Sequence, residues 1–470
     1  MADYDLAVIG AGAAGLSVAA AAAQLGLRVA LIERDRMGGD CLNVGCVPSK
    51  ALLAAAHAAE AAVRAPSLGV RLPAPEIDWT AVQTHVRSAI AAIAPADSEQ
   101  RFRGLGAVVL REQARFTAPD TLLVGGRRLT ARRIVIAAGS RAAVPAIPGL
   151  AAVPYLTHAS LFDLAERLAH LLIIGGGPVG LEMAQAHAAL GCRVTLVDAA
   201  TIAAREEPEL AEGLRRALAA RGVTLLEHIA IERVEPGPTL VLADGRRIAG
   251  THLLVAAGRR PNLEELGLRA AGVQATDAGI ATDAGLRSLT NRRVYAAGDI
   301  ADPAGIGPRY FTHVGLYHAG IIVRRALFRL PARLDYAALP RVIYTDPELA
   351  QVGLTEAEAR AAGRTPIVLR WPMQENDRAI AEARREGSVK LVIARGRVLG
   401  AGILAPGAGD MISAWTLAIA RRIPLAALAG LIVPYPTRSE AGKRAAGSHY
   451  AARLFGPASR RLAGWLARLP

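Results

Sequence analysis

The chain has 470 residues, 52% hydrophobic but only 4% aromatic, enough for about three domains with cores of Ala, Val, Leu and Ile. Its net charge is +14, yet only three of its 55 basic residues are lysines and the arginines are scattered, which argues against a nucleic-acid partner. Three cysteines make no secretory disulfide framework, and the opening Met-Ala-Asp-Tyr-Asp lacks the positive region of a signal peptide, so a cytoplasmic location is expected.

In chain order, residues 4–10 read as a buried parallel strand. Gly10-x-Gly12-x-x-Gly15 follows, then an Ala-rich helix and a second strand ending at Glu33. Residues 6–27 carry no formal charge, which is long enough to suggest a membrane span. The glycines favour a dinucleotide unit instead: they let backbone approach a pyrophosphate at a helix N-terminus, while Glu33 accepts ribose hydroxyls.

The unit recurs. Leu-Leu-Ile-Ile leads into Gly175-x-Gly177-x-x-Gly180, a helix, and a strand ending at Asp198. Two such units predict two dinucleotides with hydride transfer between them. An acid at Asp198 favours NADH over NADPH. Arg205 leaves a phosphate contact open, against its reading as a solvated arginine beside Glu206 and Glu207. Ile134–Gly139 and Leu253–Gly258 are strand-to-glycine runs, read as crossovers between domains, and Gly139 and Gly258 are also taken as cofactor contacts. Val294–Asp299 reads as a strand ending in a turn, where Asp299 either binds a cofactor hydroxyl or caps the turn.

Residues 38–50, Gly-Gly-Asp-Cys-Leu-Asn-Val-Gly-Cys-Val-Pro-Ser-Lys, set Cys41 and Cys46 five apart at the start of a helical stretch. A helix N-terminus favours thiolate, so the pair suits redox chemistry. A zinc site needs two further ligands, and no resident metal is expected. Cys192 reads as a small packed residue.

Together, Cys41-x4-Cys46-Val-Pro-Ser-Lys50, both glycine fingerprints, the Gly298-Asp299 turn and Thr345–Glu356 resemble the class I pyridine nucleotide–disulfide oxidoreductases. The resemblance implies an α/β fold with two doubly wound dinucleotide-binding domains plus a C-terminal α+β dimerisation domain, acting as a homodimer. The implied divisions are 1–150 (FAD), 151–279 (NAD(P)), 280–338 (FAD, second part) and 339–470 (dimerisation with a basic tail). It also implies FAD at Gly10, Gly12, Gly15, Glu33 and Asp299, and NADH or NADPH at Gly175, Gly177 and Gly180. Cys46 becomes the flavin-facing thiol and Cys41 the interchange thiol. Lys50 pairs with Glu182 near the flavin; the plain alternative is two unrelated surface charges.

The departures matter as much. Where disulfide reductases of this family carry His-Pro-Thr-x-x-Glu, this chain has Tyr435-Pro-Thr-Arg-Ser-Glu440. A phenol, with a pKa of about 10, is a poor proton shuttle at neutral pH. His449 reads as an ordinary polar residue. A tyrosine there is similar to mercuric reductases, whose metal acceptor needs no proton donor, and Ala203–Pro208 also resembles that branch. Against a true mercuric reductase, no cysteine domain precedes the first strand and no vicinal cysteine pair lies at the C-terminus. Asp40 replaces the family's usual threonine and is expected to disfavour a Cys41 thiolate. Gly456–Pro470 reads as a frayed basic tail, with an amphipathic membrane-surface helix as the alternative. The leading reading is an FAD-dependent NAD(P)H oxidoreductase acting on a soft metal ion or an unusual disulfide. Dihydrolipoamide dehydrogenase is second, and a flavoprotein that associates with membranes or proteins through its tail is the reading of another class.

Overall fold

The computed structural model describes residues 2–469. Tyr4–Ile9, Ala13–Gln24 and Val29–Ile32 form a strand, helix and strand. The two strands are parallel, paired from Leu6 with Val29 to Ile9 with Ile32. Leu6, Ala7, Val8, Ala30 and Leu31 are fully buried. Covered on both faces, such strands need apolar runs rather than alternation. The uncharged stretch 6–27 is therefore a strand and a helix of the core. Among the described residues, no helix is long and apolar enough to cross a membrane.

The sheet extends outward through Val108–Leu110 beside Val29–Ile32. On the other side Arg127–Ile136 pairs with the first strand, bringing Ile136 opposite Ile9. Val294–Ala296 joins beyond it, from much later in the chain. A second parallel sheet has the order Thr224–Leu226, Arg193–Val197, His170–Ile174, His252–Val255. Each sheet thus places its glycine loop at the carboxyl end of a central strand, where open α/β sheets bind ligands.

The expected crossovers are present. Directly after the two strand-to-glycine runs, Ser140–Ala142 pairs antiparallel with Arg259–Pro261, Ser140 opposite Pro261. The chain leaves the first sheet and returns to it through one two-stranded ribbon.

The C-terminal region is a five-stranded antiparallel sheet in the order Pro340–Ile343, Glu348–Gly353, Arg397–Ala405, Ser388–Ala394, Ile367–Pro372. Lys390 lies buried on it, 2.8 Å from Glu207 and Glu209 and 3.1 Å from Glu356. Glu206 is also buried and ion-paired with Arg341 at 3.1 Å. Glu206 and Glu207 are thus buried although Arg205 beside them is exposed. Cations on the C-terminal sheet cover them.

The tail expectation is corrected. Pro457–Leu466 is a helix, not a frayed end. Gly456 and Pro457 restart the helix after Glu440–Leu454, because proline suits the first helical position. Leu462, Trp465 and Leu466 are exposed on it.

Candidate functional site: a cysteine pair between two nucleotide cradles

The two glycine units are wired alike. Gly10 has φ +103° and Gly175 φ +113°, values that suit glycine. The Gly10 amide donates to the Ile32 carbonyl at 2.8 Å, and the Gly175 amide to Val197 at 2.9 Å. Glu33 Oε2 accepts from the Ala11 amide at 2.6 Å; Asp198 Oδ2 accepts from the Gly176 amide at 2.5 Å. A Cβ on Gly15 would lie 1.9 Å from the Gly10 oxygen, and one on Gly180 2.0 Å from the Gly175 oxygen. The third glycine of each unit is therefore required by close helix–strand packing. A Cβ on Gly177 would meet nothing within 4 Å, and one on Gly12 only Gly39 Cα at 3.9 Å. That space lies before the helix N-terminus, where amide groups and the helix dipole favour phosphate. Both cradles therefore fit a dinucleotide diphosphate.

Glu33 and Asp198 do more than the sequence suggests. Each also accepts from a following amide, Asp35 at 2.8 Å and Ala200 at 2.7 Å. They hold their loops, and their remaining lone pairs stay available to ribose. Arg205 is exposed, and its carbonyl accepts from Arg341 at 2.9 Å. Gly139 and Gly258 flank the crossover ribbon with φ +65° and +130°. Asp299 makes no turn cap. It accepts from Ser140 Oγ at 2.5 Å and lies 3.3 Å from Arg259 Nε, and burial pushes its carboxyl above the usual range.

Cys41 sits in the short helix Gly39–Asn43, and Cys46 opens the helix Cys46–Arg64. Gly45 allows the tight link, since a Cβ there would lie 2.9 Å from the Asp40 oxygen. The Cys46 thiol is lowered to about 6, chiefly by its neighbour Cys41 and further by Thr312, whose Oγ1 is 3.4 Å from Cys46 Sγ, and by the Lys50 charge. The neighbouring Cys46, with burial, raises Cys41. Cys46, at the helix start, is thus the more acidic of the two thiols.

Lys50 Nζ stands 2.7 Å from Glu182 Oε2 and 4.4 Å from the centre of the Tyr344 ring. Glu182 Oε1 accepts from the Tyr344 amide at 3.0 Å. The reading of two unrelated surface charges fails, because Glu182 is 4% exposed.

Asp40 belongs to a cluster of charges of its own. Its carboxylate is turned to Arg259 Nη2 and to His158 Nε2, the latter at 3.0 Å. The main causes that raise the Cys41 thiol are Cys46 and burial. Cys192 is buried, as expected of a packed residue.

A cavity of about 300 Å³ reaches Cys41 and is lined by Leu16, Ser17, Asp97, Arg101 and Thr312 among others. Tyr435 and Glu440 do not line it within one chain. Tyr435 is 70% exposed and donates to Asp377 Oδ2 at 3.0 Å, and that bond raises its pKa. Glu440 pairs with Arg444 at 2.9 Å.

The family model described as pyridine nucleotide-disulphide oxidoreductase matches residues 4–323, and the model of that family's dimerisation domain matches residues 339–446. The chain belongs to this family. It is accordingly a flavoprotein oxidoreductase using FAD and NAD(P)H, with a dimerisation domain that supports a homodimer. A mercuric reductase from Streptomyces lividans is 37% identical over 94% of this chain and 95% of its own length. A dihydrolipoyl dehydrogenase from Geobacillus stearothermophilus is 33% identical over 94% and 96%. Among solved structures, the Cu(II) complex of the HOCl-induced flavoprotein disulfide reductase RclA from Escherichia coli superposes with a TM-score of 0.83. It is 26% identical and covers 93% of this chain and 98% of that one.

Thr312, Tyr344, Ser140, His158 and Arg259 were not singled out by sequence. Arg259 carried a signal, as the arginine directly after Gly258 in a crossover run. The others follow no local pattern.

Proposed function

We propose that this enzyme carries electrons from NAD(P)H through FAD and the Cys41–Cys46 pair to a soft metal ion. The observation that carries this reading is Tyr435. At the motif position where an acid–base imidazole would serve a leaving thiol, the chain has a phenol made less acidic by Asp377. A metal ion takes two electrons and no proton, so NAD(P)H + M²⁺ gives NAD(P)⁺ + M⁰ + H⁺ without such a donor. The identity to mercuric reductases supports the same acceptor class.

In this reading the domains divide at 150, 279 and 338. Gly10, Gly12, Gly15, Glu33, Gly139 and Asp299 hold FAD. Gly175, Gly177, Gly180, Asp198 and Gly258 hold the nicotinamide nucleotide; Asp198 favours NADH, and Arg205 is the residue able to accommodate a phosphate. When bound, the flavin supplies two-electron transfer between nicotinamide and the cysteine disulfide. Lys50, fixed by Glu182, keeps a positive charge beside the Cys46 thiolate. Cys41, at the cavity, meets the acceptor. Glu440 opens the helix behind Tyr435 and orients that motif.

The test is NADH and NADPH oxidation with Hg(II), Cu(II), lipoamide and glutathione disulfide as acceptors. Metal-dependent turnover above both disulfides is expected. Turnover with lipoamide far above the metals would replace this reading with dihydrolipoamide dehydrogenase.

A further inference from the structure

Side chains from separate segments meet at the guanidinium of Arg259. Its Nη2 donates to Asp40 Oδ2 and to the Ser140 carbonyl at 3.1 Å. Its Nε donates to Ser140 Oγ at 2.6 Å and lies 3.3 Å from Asp299 Oδ2. His158 Nε2 stands 3.0 Å from the same Asp40 oxygen and 3.3 Å from Arg259 Nη1. The crossover ribbon, the redox helix and the Asp299 turn are thereby joined through one cation.

That cation is shared by two carboxylates. Burial works against ionisation of both. Hydrogen bonding from His158 and the Arg259 charge still hold Asp40 below the usual carboxylate range, whereas Asp299 stays above it. Arg259 also approaches Asp40 more closely than Asp299.

Asp40 is also next to the first cradle. Gly39 rests on Gly12, and a Cβ on Gly39 would lie 2.8 Å from Gly12 Cα. Gly12 precedes the helix whose free amides face the diphosphate space. Asp40 thus sets an anion beside a site built for an anion, and engages the Arg259 cation that also faces Asp299.

We propose that Asp40 is a positioning residue that draws Arg259 onto the redox helix and so weakens retention of FAD. The ion pair stabilises the Cys41 turn at the expense of the cofactor. This rests on reading the Gly10–Gly15 unit as the FAD cradle. It has an unusual sign: removing a salt bridge should tighten cofactor binding, because an anion beside the cradle is removed and Arg259 is released toward Asp299.

The experiment is the rate of FAD release from diluted holoenzyme, followed by flavin fluorescence, with thermal unfolding of each apoprotein alongside. Asp40→Asn and Asp40→Thr should release FAD about five- to tenfold more slowly than the parent, the scale of one nearby charge partly screened by solvent. Arg259→Gln should release it at least about tenfold faster, leaving two acids uncompensated. Adding Asp40→Asn to Arg259→Gln should slow release again. Unchanged or faster release in both Asp40 variants overturns the proposal, since a merely structural ion pair gives that result together with a lower apoprotein Tm. If Arg259→Gln does not fold, the two Asp40 variants decide alone. A parent protein that binds no flavin defeats the FAD reading itself. A parent that binds it, with Asp40 variants no slower, defeats only this inference.

Discussion

Lys50 Nζ meets Glu182 Oε2 at 2.7 Å, from residues 132 apart in the chain, and the pair stands behind the Cys46 thiol. Lys50 lowers that thiol and Glu182 raises it, so replacing each partner should have opposite effects. Lys50→Met should move the pH profile of Cys46 alkylation upward, and Glu182→Gln should move it downward. The readout is iodoacetamide labelling of reduced Cys41→Ser protein. Lys50→Met also leaves a buried carboxylate unpaired and should cost about 1–3 kcal/mol in urea unfolding, less than a fully buried pair because Lys50 is partly exposed. Shifts of the same sign in both variants would refute the arrangement.

Gly15→Ala and Gly180→Ala each drive a methyl group into a backbone oxygen. The clash cannot be relieved by a side-chain rotation, so each cradle should be damaged on its own. Gly15→Ala should purify without flavin. Gly180→Ala should stay yellow yet lose rapid flavin bleaching by NADH or NADPH in stopped-flow mixing. Loss of flavin from both variants would show that the two cradles do not divide the cofactors in this way.

Tyr435→His should restore an imidazole to the motif. Turnover with lipoamide or glutathione disulfide is expected to rise about tenfold or more, the low end of general acid–base effects. Metal-dependent turnover should change less than about twofold. A rise in metal turnover instead would mean that Tyr435 acts in metal handling rather than through a missing proton donor.

His187 is fully buried on the helix Pro178–Ala189, and both its ring nitrogens lack a partner. Burial pushes its pKa from 6.5 to about 4. Between those values the unfolded chain binds a proton that the folded chain refuses, so stability falls as pH drops from about 6.5 to about 4. Above that window the group contributes no pH dependence. The loss from this residue is at most about 3 kcal/mol. His187→Leu should make urea unfolding at pH 5 closer to that at pH 7. Part of the slope will persist, because His318 is pushed down to about 4 in the same way. An unchanged slope would contradict the assignment.

What sequence revealed followed distance along the chain. The glycine cradles and Cys41–Cys46 were legible because their chemistry depends on spacing within about one helical turn or one strand-turn-helix unit. Lys50–Glu182 came only through family resemblance, since no local pattern joins residues so far apart. Arg259 and Asp40, separated by 219 positions, were not paired at all. The sequence neighbour of Asp40 is Cys41, but its charge partner in the fold is Arg259. The burial of Glu206 and Glu207 has the same origin, since the cations that cover them belong to the C-terminal sheet. In the tail, Gly456-Pro457 is a local helix-start signal that the surrounding basic composition obscures.

The shared wiring of the two cradles has a consequence for how the protein tells its nucleotides apart. Each loop is closed by the same amide-to-carboxylate staple and the same amide-to-carbonyl bond. Elements that are duplicated bond for bond cannot discriminate. Selectivity for flavin in one and nicotinamide in the other must reside in what each loop faces across the gap: Gly39 and the redox helix on one side, Ile202 and the Asp198 strand end on the other. Exchange of cofactor preference by engineering would therefore begin with those facing surfaces, leaving the glycine loops untouched.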